Sequence, residues 1–293
     1  MPTVPTAQRC LNCGLPLAGR YCSGCGQKHE TRVHSVWHFV REATEGLTHA
    51  DSRLWRTLWH LLARPGLVTQ EFFAGRRARY LPPVRLYIVV SLLFFLLAGI
   101  FAESGSTIAF DDMERDIAAT PAETPAQRAT RLCQRISYQG PWVASIQPRL
   151  VAGCEKTVLD RGDSLQQEFL QNVPRALFIL LPLLALGMKL LYRRPRRYFI
   201  EHLLFFIHIH SVVFFLFALL LIVSAIPGLR ALENPLWVAL VIYLSWYLYK
   251  AMRRFYGESR ARTLTKFAAL GVVYTVLMIS ALVLTVLVSV ATV

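Results

Sequence analysis

The apolar residues of this chain are gathered into long runs that polar residues rarely interrupt. Five runs approach or exceed the roughly 20 residues that a helix needs to cross the hydrocarbon core of a bilayer. The predicted spans are about 84–102, 174–192, 202–226, 235–252 and 267–290. The fourth is the weakest, because it is short and ends in tyrosines. The pattern predicts an all-α polytopic membrane protein with about five transmembrane helices, which occupy the domain 84–293.

The residues that precede the first span, 31–83, carry apolar side chains at helical spacing, which predicts amphipathic juxtamembrane helices. One helix is predicted over residues 36–47. A second, SRLWRTLWHLLA, is stopped by a Pro-Gly pair, and it places Trp55 and Trp59 one turn apart. Indole rings beside arginines suit the headgroup layer of a membrane. The same helix could instead pack on the protein's own bundle, and the sequence leaves both interpretations open.

Basic residues outnumber acidic ones, with 32 Lys and Arg against 18 Asp and Glu, and the formal net charge over 293 residues is +14. Such a chain suits nucleic acid or an anionic membrane surface. The basic residues cluster at the boundaries of the predicted spans, in segments 76–85, 193–197 and 250–266. We therefore expect the bilayer and its anionic lipids as partners and no nucleic acid.

The same distribution predicts an orientation, because Lys and Arg near the ends of spans stay in the cytoplasm. The basic clusters alternate with weakly charged connections, and segment 103–173 contains ten acidic against seven basic residues. The first residues, MPTVPTAQRC, have no apolar signal-peptide core. We predict a cytoplasmic N-terminus, an insert at 103–173 on the opposite side, and Val293 on that opposite side as well.

Four of the six cysteines form a doubled C-x2-C-G pattern within the predicted domain 1–30. They are Cys10, Cys13, Cys22 and Cys25. Two such turns can supply four thiolates to a tetrahedral Zn²⁺ ion, and the glycine after each pair tolerates positive φ. Because all four ligands are cysteines, no position remains open for water. We therefore predict a small zinc ribbon with a structural ion, against the alternatives of a redox dithiol or a chance spacing.

The two remaining cysteines, Cys133 and Cys154, both lie in the insert predicted on the outer side. Disulfides persist in oxidising compartments, whereas thiolates survive as metal ligands in reducing ones. A bond between these cysteines would close a loop of about 22 residues, worth roughly 3 kcal/mol in the chain-entropy model. A disulfide is predicted, and the alternative is a pair of unlinked thiols. The disulfide would agree with the orientation that the basic clusters predict.

Residues 10 to 95 carry a further set of motifs, which are CLNC…YCSGCGQK, HADSRLWRTL and RPGLVTQEFFAGRRARYLPPVRLY. Together they resemble an uncharacterised family of bacterial inner-membrane proteins with an N-terminal zinc ribbon, an RPG…GxRxRYxPPxRLY segment and a multi-span tail. The matching positions are Arg64, Pro65, Gly66, Gly75, Arg77, Tyr80, Pro82, Pro83 and Arg85. The resemblance implies a location in the bacterial inner membrane, with segment 103–173 in the periplasm. It supplies no activity and no catalytic residue.

Two groups of charged or polar residues invite a functional interpretation. Arg76, Arg77, Arg79 and Arg85 could hold the phosphates of anionic lipids or another phosphate-bearing ligand, or they could be ordinary flanking charges. Glu201, His202, His208 and His210 lie within or beside the third span, where ionisable groups are costly. They could bond neighbouring helices or line a proton path or ligand site. Glu201 and His208 share a helix face but are two turns apart, too far for a direct bond.

The sequence contains no nucleophile elbow, phosphate-binding loop, dinucleotide fingerprint or metalloprotease motif. We therefore do not expect an enzyme and favour a binding or assembly protein. In this hypothesis the zinc ribbon, too short to form a core of its own, docks either a protein partner or the protein's own membrane domain. The alternative is a subunit of a small-molecule or ion transporter or channel. The sequence leaves the oligomeric state open.

The predicted orientation can be tested with two reporter fusions in bacterial cells. Green fluorescent protein placed before Cys10 should fluoresce, because it folds in the cytoplasm. Alkaline phosphatase placed after Val293 should be active, because it needs the oxidising side of the membrane to form its disulfides. A dark N-terminal fusion together with an inactive C-terminal one would reverse the orientation.

Overall fold

The structure is a computed structural model and describes residues 9–28, 53–102, 124–160, 163–193, 197–226, 228–229 and 232–292. Within these residues it contains nine α-helices, and its β-structure is limited to two isolated bridges. The helices are α1 (Arg53–Ala63), α2 (Leu67–Phe73), α3 (Pro83–Ala102), α4 (Pro125–Cys133), α5 (Val143–Leu159), α6 (Asp163–Leu191), α7 (Phe199–Ser224), α8 (Glu233–Tyr256) and α9 (Arg260–Thr292). The helix predicted over 36–47 and the part of the insert from 103 to 123 lie outside the described residues.

Five of the described helices are long and apolar enough to cross a membrane, which confirms the predicted fold class. The segments are Pro83–Phe101, Asn172–Leu191, Phe199–Ser224, Glu233–Tyr256 and Arg260–Thr285. The fourth predicted span ended at 252, but α8 continues to Tyr256, and α9 begins at Arg260 instead of 267. A helix continues past its apolar stretch because its backbone bonds are internal and its basic side chains can reach out to the membrane surface.

The described residues group into two compact units. The first unit is formed from the ranges Met1–Leu97 and Leu181–Val272, and the second from Ala98–Leu180 and Val273–Val293. The core of the first unit is α7, whose residues from Leu204 to Ser211 are buried on every side. The part of α9 in this unit instead exposes apolar side chains such as Leu264 and Val272. Exposed apolar side chains on a membrane-length helix suit contact with acyl chains.

The turn between α1 and α2 packs closely on α8. Gly66 has φ +76°, and a Cβ there would lie 2.8 Å from the carbonyl oxygen of Ala251. The Arg254 guanidinium donates to the Pro65 carbonyl oxygen at 3.0 Å, and the Tyr243 hydroxyl donates to the Leu62 carbonyl oxygen at 2.9 Å. The Pro-Gly pair that stops α1 therefore also docks it on the membrane domain.

The described part of the second unit contains two packed helices, α4 and α5, which a disulfide between Cys133 and Cys154 joins. The Cα atoms of the two cysteines are 5.7 Å apart, and Cys133 is fully buried. Thr124 caps α4 by accepting a hydrogen bond from the Gln127 amide, with the Gln127 side chain returning to the Thr124 amide. The insert thus contains a small helical hairpin between residues 124 and 160.

Replacing Gly66 with alanine should destabilise the protein, because the new Cβ meets the α8 backbone and the positive φ strains an L-residue. The expected loss is about 1–3 kcal/mol, measured as a midpoint of thermal unfolding in detergent that is a few degrees lower. Gly271→Ala in α9 is the matched control, because that position faces open space, and alanine there improves helix propensity. Equal midpoints for the two variants would contradict the close approach of the turn to α8.

Candidate metal centre and its platform

The four N-terminal cysteines lie in two tight turns of the same design. Each turn is closed by an isolated bridge, Arg9 with Pro16 in the first and Tyr21 with Lys28 in the second. Gly14 donates its amide to the Cys10 carbonyl at 2.8 Å, and Gly26 does the same to Cys22 at 2.9 Å. Both glycines have positive φ, +81° and +69°, as the doubled C-x2-C-G pattern predicted. The two turns form the small head of the protein, residues 9–28.

The cysteine sulfurs converge at a distance that a metal ion can bridge. The Sγ atoms of Cys10 and Cys25 are 3.6 Å apart, and those of Cys13 and Cys22 are 3.4 Å apart. All four sulfurs lie within 4.8 Å of one another. Tetrahedral coordination with Zn–S bonds of about 2.3 Å places the sulfurs about 3.8 Å apart. The four residues can therefore hold a metal ion.

Backbone amides prepare two of these sulfurs for metal binding. The amides of Cys25 and Gly24 lower the pKa of Cys22 to about 6, because both donate to its sulfur. The amide of Cys13 lowers the pKa of Cys10 in the same way. The thiolate is the form that binds metal, so the turn geometry favours the ligand state of these cysteines.

The head rests on an irregular segment between α2 and α3, residues 74–82, which we call the platform. Both the nitrogen and the oxygen of the Gln27 side-chain amide form hydrogen bonds with the platform. Its Nε2 donates to the Gly75 carbonyl oxygen at 2.7 Å, and its Oε1 accepts from the backbone amides of Arg77 and Ala78 at 3.0 and 3.1 Å. A single side chain therefore forms hydrogen bonds with three backbone groups that lie outside the helices.

Two further contacts join the head to the platform. Gly75 follows α2 with φ +81°, and a Cβ there would lie 2.5 Å from Cδ1 of Leu11. Arg79 donates to the Asn12 carbonyl oxygen at 3.2 Å. Gly75 is thus favoured by its backbone conformation, and Leu11 of the head lies against it.

On its other side, the platform is bonded to α1. The buried Thr57 hydroxyl accepts from the Leu81 amide at 2.9 Å and donates to the Arg53 carbonyl oxygen at 2.7 Å. The Arg53 guanidinium donates to the Ala78 carbonyl oxygen at 3.3 Å. The platform therefore connects the head, α1 and the entry to α3.

The four arginines with a predicted lipid or phosphate role are Arg76, Arg77, Arg79 and Arg85. Arg76 forms a two-bond ion pair with Glu71 at 2.6 and 2.5 Å, and these bonds hold the pKa of Glu71 below its ordinary value. The Arg77 guanidinium lies 4.8 Å over the Phe72 ring and donates to the Phe72 carbonyl oxygen. Arg85 is half-buried in the first turn of α3. The first three of these arginines therefore use their guanidinium groups within the protein.

The polar residues of the third span do not form one site. The residues in question are Glu201, His202, His208 and His210. His208 shares a buried hydrogen bond of 2.9 Å with Thr69 of α2, whereas His210 donates from Nδ1 to the Phe206 carbonyl oxygen. Glu201 accepts from Arg197 at 2.7 Å and caps the start of α7. Although Glu201 and His208 share a helix face, each has its own partner.

His202 instead belongs to a cluster where α6 and α8 end and α7 and α9 begin. Its Nδ1 lies 2.7 Å from the Tyr256 hydroxyl, and the Tyr256 ring stacks on Tyr192 at 3.9 Å. The Lys266 ammonium lies 3.7 Å over the Tyr192 ring and 2.6 Å from a Glu258 carboxylate oxygen. This end cluster joins four helix termini on the side that carries the basic segments.

Sequence reasoning missed several residues that make these connections, among them Gln27, Thr57 and Tyr256. Gln27 and Tyr256 bond partners 48 to 54 residues away, so no local spacing reveals them. Thr57 carried a weak signal, because a threonine within an otherwise apolar helix face needs a hydrogen-bond partner when it is buried.

Comparison with known proteins adds one match. A family model described as "Protein of unknown function (DUF3667)" matches residues 51–95, which include α1, α2, the platform and the start of α3. The chain is thus similar, over this segment, to a family whose activity has not been assigned. No curated protein and no solved structure matches the chain. Gly66, Gly75 and Thr57 all lie inside the matched segment, where they join its parts to the head and to α8.

Full-length protein purified in detergent should contain about one zinc ion per chain by elemental mass spectrometry. The double variant Cys10→Ser and Cys22→Ser should lose that metal and expose the head to limited proteolysis, because a structural ion contributes much of the folding energy of such a small module. The pair Cys133→Ser and Cys154→Ser is the matched control and should retain the metal. Metal-free wild-type protein, or equal metal in both double variants, would overturn this assignment.

Proposed function

We propose that this protein is a binding and assembly protein of a bacterial inner membrane. In this proposal, a zinc-bound head on the cytoplasmic side is fixed on the protein's own platform and presents its outer face to a protein partner. The observation that carries the proposal is the two-ended contact of Gln27, which joins the head to Gly75, Arg77 and Ala78.

Metal binding and the Gln27 hydrogen bonds have different roles, because their energies differ in size. A module of this size buries too little apolar surface to fold alone, so a bound ion supplies most of its stability. The hydrogen bonds of Gln27 contribute only about 1 kcal/mol each. That is too little to fold the head but enough to select one orientation, especially with the Leu11 contact on Gly75. The arrangement supports a head whose outer face keeps a constant direction relative to the membrane.

We call the exposed side chains of Leu15, Arg20 and Tyr21 the outer face of the head, and they have the residue types of a binding surface. Tyr21 is 62% exposed, Leu15 is 47% exposed, and Arg20 is exposed as well. Tyrosine and arginine are enriched at protein–protein interfaces, where a ring fills a pocket and a guanidinium bonds an acidic rim. We therefore expect a partner protein with an apolar pocket bordered by carboxylates.

The cytoplasmic placement rests on the charges near the head. The platform contains Arg76, Arg77 and Arg79, and the end cluster brings Lys266 and Arg197 to the ends of the same helix bundle. Basic residues at span ends favour the cytoplasmic side. A cysteine-only metal site also suits a reducing compartment, and the Cys133–Cys154 disulfide suits the opposite one.

A transporter or channel subunit is the second candidate, and one observation favours it. Among the described residues, Nε2 of His202, Nε2 of His208 and the Tyr192 hydroxyl are buried without a hydrogen-bond partner. Buried polar atoms of this kind can line a water path. However, Tyr256 stacks against Tyr192 and bonds His202, and Thr69 bonds His208, so these side chains also serve as packing contacts between helices. Those contacts favour the assembly protein.

A photocrosslinker can test the assembly function in native membranes. Benzoylphenylalanine at Tyr21 should give a discrete crosslinked protein product, because this side chain lies on the outer face of the head. The product should disappear in the Cys10→Ser and Cys22→Ser background and weaken several-fold with Gln27→Leu, which removes the platform bonds.

The same crosslinker at Trp142, which is 79% exposed in the second unit, is the control position and should not give that product. An identical product from Trp142, or one that survives loss of the cysteines, would reject a partner at the head. Loss with the cysteine variants but full crosslinking with Gln27→Leu would show that the platform does not orient the head for binding.

A further inference from the structure

An open cleft of about 470 Å³ lies between the last turns of α8 and the turn that joins α1 to α2. The residues that line it are Ala63, Pro65, Trp246, Lys250, Arg253 and Arg254. Three of these six side chains are cationic and none is acidic. The next acidic residue along the chain, Glu258, is paired with Lys266 at 2.6 Å. The described part of the lining therefore presents three positive charges and no negative one.

The fold determines the spacing between the two walls of this cleft. Arg254 donates to the Pro65 carbonyl oxygen at 3.0 Å, and Gly66 packs against the backbone of Ala251. A guanidinium has five N–H donors, so Arg254 can fix the turn and still offer donors to a ligand. Lys250 and Arg253 lie one turn apart on α8, on the face that begins with Trp246.

The order of side chains along α8 is the one expected at the level of lipid headgroups. Trp246 is 47% exposed and lies four residues before Lys250, so an aromatic ring precedes the cations in the direction of the helix end. Trp55 and Trp59 on α1 are also exposed, at 73% and 70%. Tryptophan is enriched at the membrane–water interface, with basic side chains just outside it.

We propose that this cleft binds the phosphate group of an anionic phospholipid headgroup. A basic pocket between membrane helices is suited to such headgroups, and a volume of about 470 Å³ is within the range of small-molecule sites. Lys250 and Arg253 contact the phosphate, Arg254 holds the Pro65 wall and contributes a donor, and Trp246 borders the glycerol region. The site is separate from the head and does not depend on the partner proposed for it.

Native mass spectrometry of the full-length protein in detergent can measure this binding. Added dioleoylphosphatidylglycerol should bind more tightly than dioleoylphosphatidylcholine, whose headgroup has no net charge. The double variant Lys250→Gln and Arg253→Gln should bind phosphatidylglycerol about 30-fold more weakly, because it removes two headgroup cations. Arg254 is left unchanged because it supports the turn.

The variant Arg260→Gln and Arg262→Gln is the matched control, since it removes two exposed cations from the same end of the bundle. It should keep wild-type affinity. An equal loss in the control, or equal binding of the two lipids by the wild type, would overturn the site. Displacement of phosphatidylglycerol by inorganic phosphate at equal concentration would overturn the lipid assignment in favour of a soluble phosphate.

The thermal unfolding midpoint and the metal content should match those of the wild type in the Lys250 and Arg253 variant and in the Arg260 and Arg262 variant. If the Lys250 and Arg253 variant fails this check, the single changes Arg253→Gln and Arg253→Lys decide the question. Lysine keeps the charge and should retain most of the affinity, whereas glutamine should lose about fivefold. Equal affinities for these two single variants would reject the cleft as a phosphate site.

Discussion

The irregular backbone of the platform, residues 74–82, places the strongest constraint on this fold. The platform leads into the membrane-length helix α3, and a polar backbone group that is buried without a partner is costly. Side chains from distant elements supply the partners, with Gln27 bonding Gly75, Arg77 and Ala78, and Thr57 bonding Leu81. The head and α1 are consequently bonded to the segment that leads into α3, and their arrangement follows from satisfying the backbone groups of the platform.

The segment that matches a family of unknown function contains the residues that make these connections. Gly66 lets the α1–α2 turn touch the backbone of α8, and Gly75 admits Leu11 of the head. Thr69 continues the same connection inward through its hydrogen bond to His208 in the core helix α7. The matched segment is therefore the structural joint between the head and the membrane domain, and its residues serve to position other parts of the molecule.

The arginines divide into two populations with different physical roles. Those of the platform are used within the protein, as Arg76 is by Glu71 and Arg77 by the Phe72 ring. Those at the end of α8 line an open cleft, and none of the described residues that line this cleft is acidic. Net charge and its position along the chain cannot distinguish the two populations, because the difference lies in whether the side chains border an open cleft, and that cleft exists only through the packing of α8 against the α1–α2 turn.

The sequence by itself determined the class of fold, the approximate membrane spans and the cysteine set that can hold a metal. These features depend on local properties, namely continuous apolar length, C-x2-C-G spacing and the conformational freedom of glycine. Only the tertiary structure decided that Gln27 seats the head on the platform, that His202 pairs with Tyr256, and that the α8 cations face a cleft. Those contacts join residues that are distant in sequence, and their energies depend on burial and on the direction of approach, which local pattern does not contain.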